Sequence, residues 1–139
     1  MQRNDYFAPS LSADEVRNVG SLALAHIGDA VYELMVRLFL CSSQGKTSTG
    51  LHQAATAMVN AHAQAEASRR ILPMLTEEEN DVFRRGRNTK VNYIPKHAEA
   101  GDYHLATGVE ALFGWLYLLD RRDRLNELFD LILEGYHAA

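Results

Sequence analysis

An intrachain disulfide is excluded from this sequence, because Cys41 is its single cysteine. No CxxC pair or Cys/His cluster is present, which removes the common zinc patterns. Cys41 closes an apolar run and has no activating base near it in sequence, so it reads as a thiol packed in the core. No stretch of about 18 uninterrupted apolar residues exists, so no membrane span is expected. The start, MQRNDYFAPSLSADE, lacks the apolar run of a signal peptide, and the expectation is a cytoplasmic protein. Period-two alternation is sustained nowhere, so no sheet is expected. There is no internal repeat and no low-complexity segment. Positive charge is not in surplus either, the formal net charge being −4. That argues weakly against nucleic acid as a partner, but only if the cations are spread evenly. The 139 residues read as one domain, long enough to bury a core unaided by disulfides or structural metal.

What is present is helical signal. The run Leu22 to Leu40, LALAHIGDAVYELMVRLFL, is long enough for about five helical turns and is apolar on nearly every side. It reads as the central, buried helix. It also carries Asp29 and Glu33 one turn apart, with His26 three residues before Asp29, all on one face. An ionised carboxylate taken out of water costs several kcal/mol, roughly, unless something pairs with it.

Around that helix the rest falls into order. Residues 1–10 read as a loose arm ended by Pro9 and Ser10. Ser12 with Glu15 forms a capping box that opens a short helix near 13–18. The run SSQGKTSTG is a loop. Its Gly45-Lys46-Thr47 lacks the earlier glycine of a P-loop, since that position is Leu40, and no nucleotide cofactor is expected. Leu51 to about Ile71 is alanine-rich and helical. His52 and His62 within it have no metal-site context and read as surface or packing histidines. Pro73 ends it. Thr76 with Glu79 is a second capping box, and Glu77, Glu78 and Glu79 read as a solvated first turn that complements the helix dipole. That helix runs to about Gly86. Residues 97–103 read as loop, His104 to Leu119 as a second apolar helix, and Asp120 to Tyr136 as a last amphipathic one. The fold class is all-α, with about six to seven helices.

Between Arg84 and Lys96 the character changes. Arg84, Arg85, Arg87, Lys90 and Lys96 are five of the chain's fourteen Lys and Arg, with no acid among them. Asn88, Asn92, Tyr93 and Pro95 add polar and loop chemistry. A solvated basic loop is one reading. The other is a phosphate-backbone site, because arginine forks match phosphate oxygens.

Two apolar helices each carry an acid beside a glycine. Gly28 precedes Asp29, and Gly114 lies one turn after Glu110 on the same face. A helical glycine costs about 1 kcal/mol relative to alanine. Close crossing of the two helices is what could offset it, and would set Asp29 facing Glu110. Opposed carboxylates repel unless one is protonated or a cation lies between them. A hard divalent ion, Mg²⁺ or in its place Mn²⁺, suits oxygen ligands. Each acid could instead pair locally, with Arg37, a histidine or a backbone group.

The segment Ile27-Gly28-Asp29-Ala30-Val31 resembles the LGDAV-type motif of ribonuclease III catalytic domains, and Glu110-Ala111-Leu112-Phe113-Gly114 resembles their second acidic motif. The match is closer to the Mini-ribonuclease III subfamily, which has the catalytic domain and no double-stranded-RNA-binding domain. It spans LALAHIGDAVYELMVR, the LHQAAT helix, TEEENDVFRRGRNTK and TGVEALFGWLYL, in the family's order. The resemblance implies an all-helical homodimer that cuts double-stranded RNA with Mg²⁺, typically in maturation of the 23S ribosomal RNA precursor. It implies Asp29 and Glu110 as the metal-holding acids and assigns RNA contacts to Arg84, Arg85, Arg87, Asn88, Lys90 and Lys96. His26, Glu33 and Thr107 become supporting residues around the acids.

Two departures matter. Larger ribonuclease III sites use four acids, and this chain has Ala25 and Thr107 at the other two positions. Lys96-His97-Ala98-Glu99 also differs from the subfamily's Lys-Asn-Thr-Asp. The missing acids keep open a catalytically weak RNA-binding or ribosome-assembly protein of the same fold. A helical nucleotide pyrophosphohydrolase would want paired glutamates on a buried helix, which Glu77–Glu79 do not supply.

Overall fold

The computed structural model describes residues 5–43, 47–90, 96 and 99–137. Expectations placed on the P-loop-like Gly45 and Lys46, on Asn92, Tyr93 and Pro95, and on His97 and Ala98 lie outside them. Among the described residues the fold has seven α-helices: α1 Ala13–Arg17, α2 Ser21–Ser43, α3 Ser48–Val59, α4 Ala61–Ile71, α5 Glu77–Asn88, α6 Ala100–Leu118 and α7 Arg122–His137, with one 3₁₀ turn, Leu72–Met74. No strand occurs among the described residues.

The centre is α6 rather than α2. Every residue from Ala111 to Leu116 is buried, and α2, α4 and α5 pack around it. Its contacts on two sides rest on glycine. A Cβ on Gly28 would stand 1.6 Å from the carbonyl oxygen of Glu110, and one on Gly114 would stand 2.0 Å from the carbonyl oxygen of Leu24. The backbones of α2 and α6 therefore touch at this crossing, as the paired glycines predict. On the other side, Cβ atoms at Gly86 and Gly108 would meet Ala111 at 2.7 Å and the Phe83 ring at 2.8 Å, which seats α5. Tyr32, fully buried, closes the core with its ring 5.1 Å from Phe113 and 6.0 Å from Phe129.

Four boundaries differ from the sequence reading. The alanine-rich stretch is two helices, because Asn60 takes an extended conformation and its side chain accepts from the Ala63 amide, capping α4. The Arg84–Asn88 segment is helical, since α5 continues past Gly86. The second apolar helix begins at Ala100, not His104. Asp120, at φ 57°, makes the turn into α7.

Five residues expected in one environment lie in another. Cys41 is exposed. So are Leu22, Leu34 and Leu38 of α2, at 47, 44 and 60%. Glu79 is not a solvated residue of the first turn. It is buried, and both its oxygens receive Arg124 N–H groups at 2.8 Å, while it also closes the Thr76 capping box. Burial pushes its carboxyl up, but Arg124 and the Thr76 bonds outweigh that and hold it below the ordinary value.

Candidate active site

Where α2 crosses α6, the missing side chains of Gly28 and Gly114 let the flanking acids converge. Asp29 and Glu110 come within hydrogen-bonding reach of one another. They line a cleft of about 1000 Å³ floored by α2 and α6 and walled by α4. The pair is asymmetric. Asp29 stands exposed on the flank of α2, contrary to the expectation of two buried acids, while Glu110 is half-buried. The difference follows from α2 itself, which presents one face to α6 and leaves the adjoining face to the cleft.

Glu110 is electrostatically unsatisfied. Burial first, and then the neighbouring Asp29 carboxylate, push its pKa up to about 8, and the Gln64 side chain works against them. In this ion-free arrangement Glu110 keeps a proton near neutrality. Two carboxylates held together by a backbone crossing, one of them resisting ionisation, make a place where a cation lowers the energy. Mg²⁺ is commonly held by one or two carboxylates plus waters and substrate phosphates, and this donor set beside an open cleft fits that habit. No cluster of three or more His, Cys, Asp or Glu able to hold a metal occurs among the described residues.

The supporting positions divide. His26 and Thr107 line the cleft, His26 exposed and Thr107 buried with its hydroxyl donating to the Tyr103 carbonyl at 2.9 Å. Glu33 lies outside it and accepts from Arg37 at 3.1 Å along the outer side of α2. Ala25, where larger relatives of the resemblance carry an acid, also lines the cleft.

None of Arg84, Arg85, Arg87, Asn88, Lys90 and Lys96 lines the cleft. Arg84 and Arg85 share Asp81, at 2.7 and 2.9 Å, so an acid one turn back in α5 answers both. Arg87 donates to the Asn88 side chain at 3.1 Å, and Lys90 and Lys96 are exposed. The helix that carries most of the patch nonetheless packs on a helix of the site. Gly86 sits against α6, where a Cβ would lie 3.2 Å from the carbonyl oxygen of Thr107, and Thr107 lines the cleft.

Two features of the wall go beyond the sequence reading. Gln64 is 3% exposed and favours the charged form of Glu110. Its position with Ser68 and Ile71 at i, i+4 and i+7 marks the buried stripe of α4, a periodicity readable in the sequence. His62 does lie on the surface, but its Nδ1 meets Asp102 Oδ2 at 3.0 Å, and both residues line the cleft. The two are forty residues apart, and no local pattern announces the pair.

A Ribonuclease III domain model matches residues 22–121. The chain is 39% identical over 138 residues to the Mini-ribonuclease 3 of Clostridium tetani, covering 99% of this chain and 91% of that one. It is 45% identical over 107 residues to the Mini-ribonuclease 3 of Symbiobacterium thermophilum, covering 77% and 82%. A crystal structure of a Fusobacterium nucleatum protein superposes with a TM-score of 0.78 at 29% identity, over 87% of this chain and 97% of that one. The chain belongs to the ribonuclease III family, among the Mini-ribonuclease 3 proteins.

Proposed function

We propose that this protein is a metal-dependent endoribonuclease that hydrolyses double-stranded RNA. The observation that carries the reading is the convergence of Asp29 and Glu110 at the glycine crossing of α2 and α6, in an open cleft, within a ribonuclease III family chain. Asp29 and Glu110 would hold Mg²⁺, with Mn²⁺ able to replace it. When bound, such an ion supplies charge to the scissile phosphate and a more acidic water. Glu110 would have to be ionised to hold it, and is protonated near neutrality without it. Gln64 fixes the Glu110 carboxylate from the α4 wall, and the α2–α6 backbone contact keeps Asp29 at a set distance from it. RNA duplexes offer shape, phosphates and 2′-hydroxyls, because their major groove is too narrow to read. Arg87, Lys90 and Lys96 are the cations of the adjoining patch with no acidic partner among the described residues.

A second copy of the chain would supply a second cleft for the second strand. Ala30, Leu34, Leu38 and Cys41 follow helical spacing along the exposed side of α2, and an apolar stripe of that kind suits a homodimer. The natural substrate in this reading is a 23S ribosomal RNA precursor, and the compartment is the cytoplasm. No helix of the described residues is long and apolar enough to cross a membrane.

The absence of acids at Ala25 and Thr107 favours a second reading, an RNA-binding or ribosome-assembly protein without turnover. One assay separates them. The purified protein is incubated with a plain RNA duplex in Mg²⁺ or in EDTA, beside the Asp29→Asn variant. Cleavage in Mg²⁺ alone, lost in Asp29→Asn while duplex binding persists, is the expected result. Binding without cleavage in every condition selects the second reading. Undiminished cleavage by Asp29→Asn refutes the assignment of the site.

A further inference from the structure

The cleft has an acidic surround for a site that must admit a polyanion. Asp29 and Glu110 lie at its floor, and Glu66, Glu99 and Asp102 line it as well. Arg69, the lone arginine of its lining among the described residues, is engaged by Glu66. Among the described residues the remaining source of positive charge in the lining is histidine: His26 on α2 and His62 on α4.

His62 differs from His26 in being held. Its Nδ1 is 3.0 Å from Asp102 Oδ2, tying the first turn of α4 to the first turn of α6. The Asp102 side chain is 14% exposed and the His62 side chain 74%. The carboxylate thus lies behind the ring, and the ring faces outward. With Nδ1 engaged, the ring's other nitrogen is left for a ligand, and as an imidazolium it is a pure donor. We propose that His62, oriented by Asp102, is a phosphate-binding residue on the wall of the cleft, donating from Nε2 to a backbone oxygen of the RNA. The proposal rests on the reading of the cleft as an RNA site and adds to it a contact outside the basic patch of α5.

Two properties make the pair suited to this role. The ring is fixed before RNA arrives, so little rotamer entropy is lost on contact. Asp102 also raises the histidine above its ordinary value of 6.5, first by its hydrogen bond and then by its charge. Glu66 acts in the same direction, while Arg69 and partial burial oppose it. From the other elements Glu99, His26, Asp29 and Glu110 share the cleft. The sign is then definite. The contact is strong below the histidine's pKa and weakens as pH rises through it.

The test is duplex binding in the Asp29→Asn background with Mg²⁺, measured against pH and salt for His62→Ala, His62→Lys and Asp102→Asn. Glu110 titrates in all of them, so differences belong to the pair. Near pH 6, His62→Ala should weaken binding about five-fold, the size of one exposed charge contact, and lower the salt slope by about 1. Near pH 8.5 it should match its parent. His62→Lys should bind well at both values, and Asp102→Asn should move the loss of affinity to lower pH. A residue of purely structural importance would change none of the pH profiles in this pattern. If the parent binds duplex and His62→Ala keeps its affinity, pH profile and salt slope, the inference is overturned and the function stands. If the parent binds no duplex at any pH, both fall.

Discussion

The proton on Glu110 gives the most direct physical test of the site. Its pKa rises from the ordinary 4.5 to about 8 in the folded, ion-free protein. A folded value above the unfolded one means the native state keeps a proton that the unfolded chain has released. Stability is therefore full below about pH 4.5 and declines as pH rises through the window up to about 8. A shift of about 3.5 units at about 1.4 kcal/mol each sets an upper bound near 5 kcal/mol. The cleft admits water to one side of the pair, and screening leaves about 1–3 kcal/mol. For a chain of this size that is a change in Tm of roughly 5–10 °C. Glu110→Gln removes the titration and keeps the shape. Thermal unfolding in EDTA should then show the parent losing Tm from about pH 5 to about pH 9, while Glu110→Gln changes much less and is the more stable of the two at the alkaline end. Mg²⁺ should reverse the parent's loss, because binding needs the deprotonated carboxylate and stabilises the folded form in proportion to its affinity. Parallel curves for the two proteins in EDTA would refute the placement of a strained carboxylate at this crossing.

The helix crossing makes its own prediction. Gly28→Ala places a Cβ where it would lie 1.6 Å from the Glu110 carbonyl oxygen, so α2 and α6 must part. A loss of about 3 kcal/mol or more in urea unfolding is expected, with the cleavage assay falling further than stability alone requires. At the outer side of α2, Leu38→Glu should leave the fold intact and turn a dimer into a monomer on sedimentation. An unchanged mass would move the interface elsewhere. Replacing Arg87 and Lys90 together by alanine should lower the salt slope of duplex binding by about 2, and an unchanged slope would remove that patch from the RNA surface.

Much of the site was legible because it is local in sequence. Asp29 beside Gly28, and Glu110 one turn before Gly114, state a crossing and an acid pair within two short motifs. The capping boxes at Ser12 and Thr76 set two helix starts correctly. What escaped depends on partners far along the chain. Asp102 lies forty residues from His62, and Arg124 forty-five from Glu79. A glutamate in a first helical turn is usually wet, and Glu79 looked like its neighbours Glu77 and Glu78. It differs because the fold delivers one arginine fork to it.

The larger misreading was of α2, and its cause is physical. Hydrophobic content tells how much surface a helix must remove from water, but not whether its own chain removes it. Only part of the circumference of α2 meets the rest of the protein, with Leu24, Val31, Val36 and Leu40 inside. A second side carries Asp29 and His26 to the cleft. A third holds Leu34, Leu38 and Cys41 in the open. From the sequence, the second and third sides both counted as core, which put Asp29 and Cys41 indoors. An all-round apolar helix with an acid on it therefore has two solutions: burial in one chain, or a division between a core, an open site and a surface awaiting a partner. The exposed Asp29 and Leu38 fit α2 to the second description, and the Leu38→Glu experiment decides whether a second copy of the chain covers the open side.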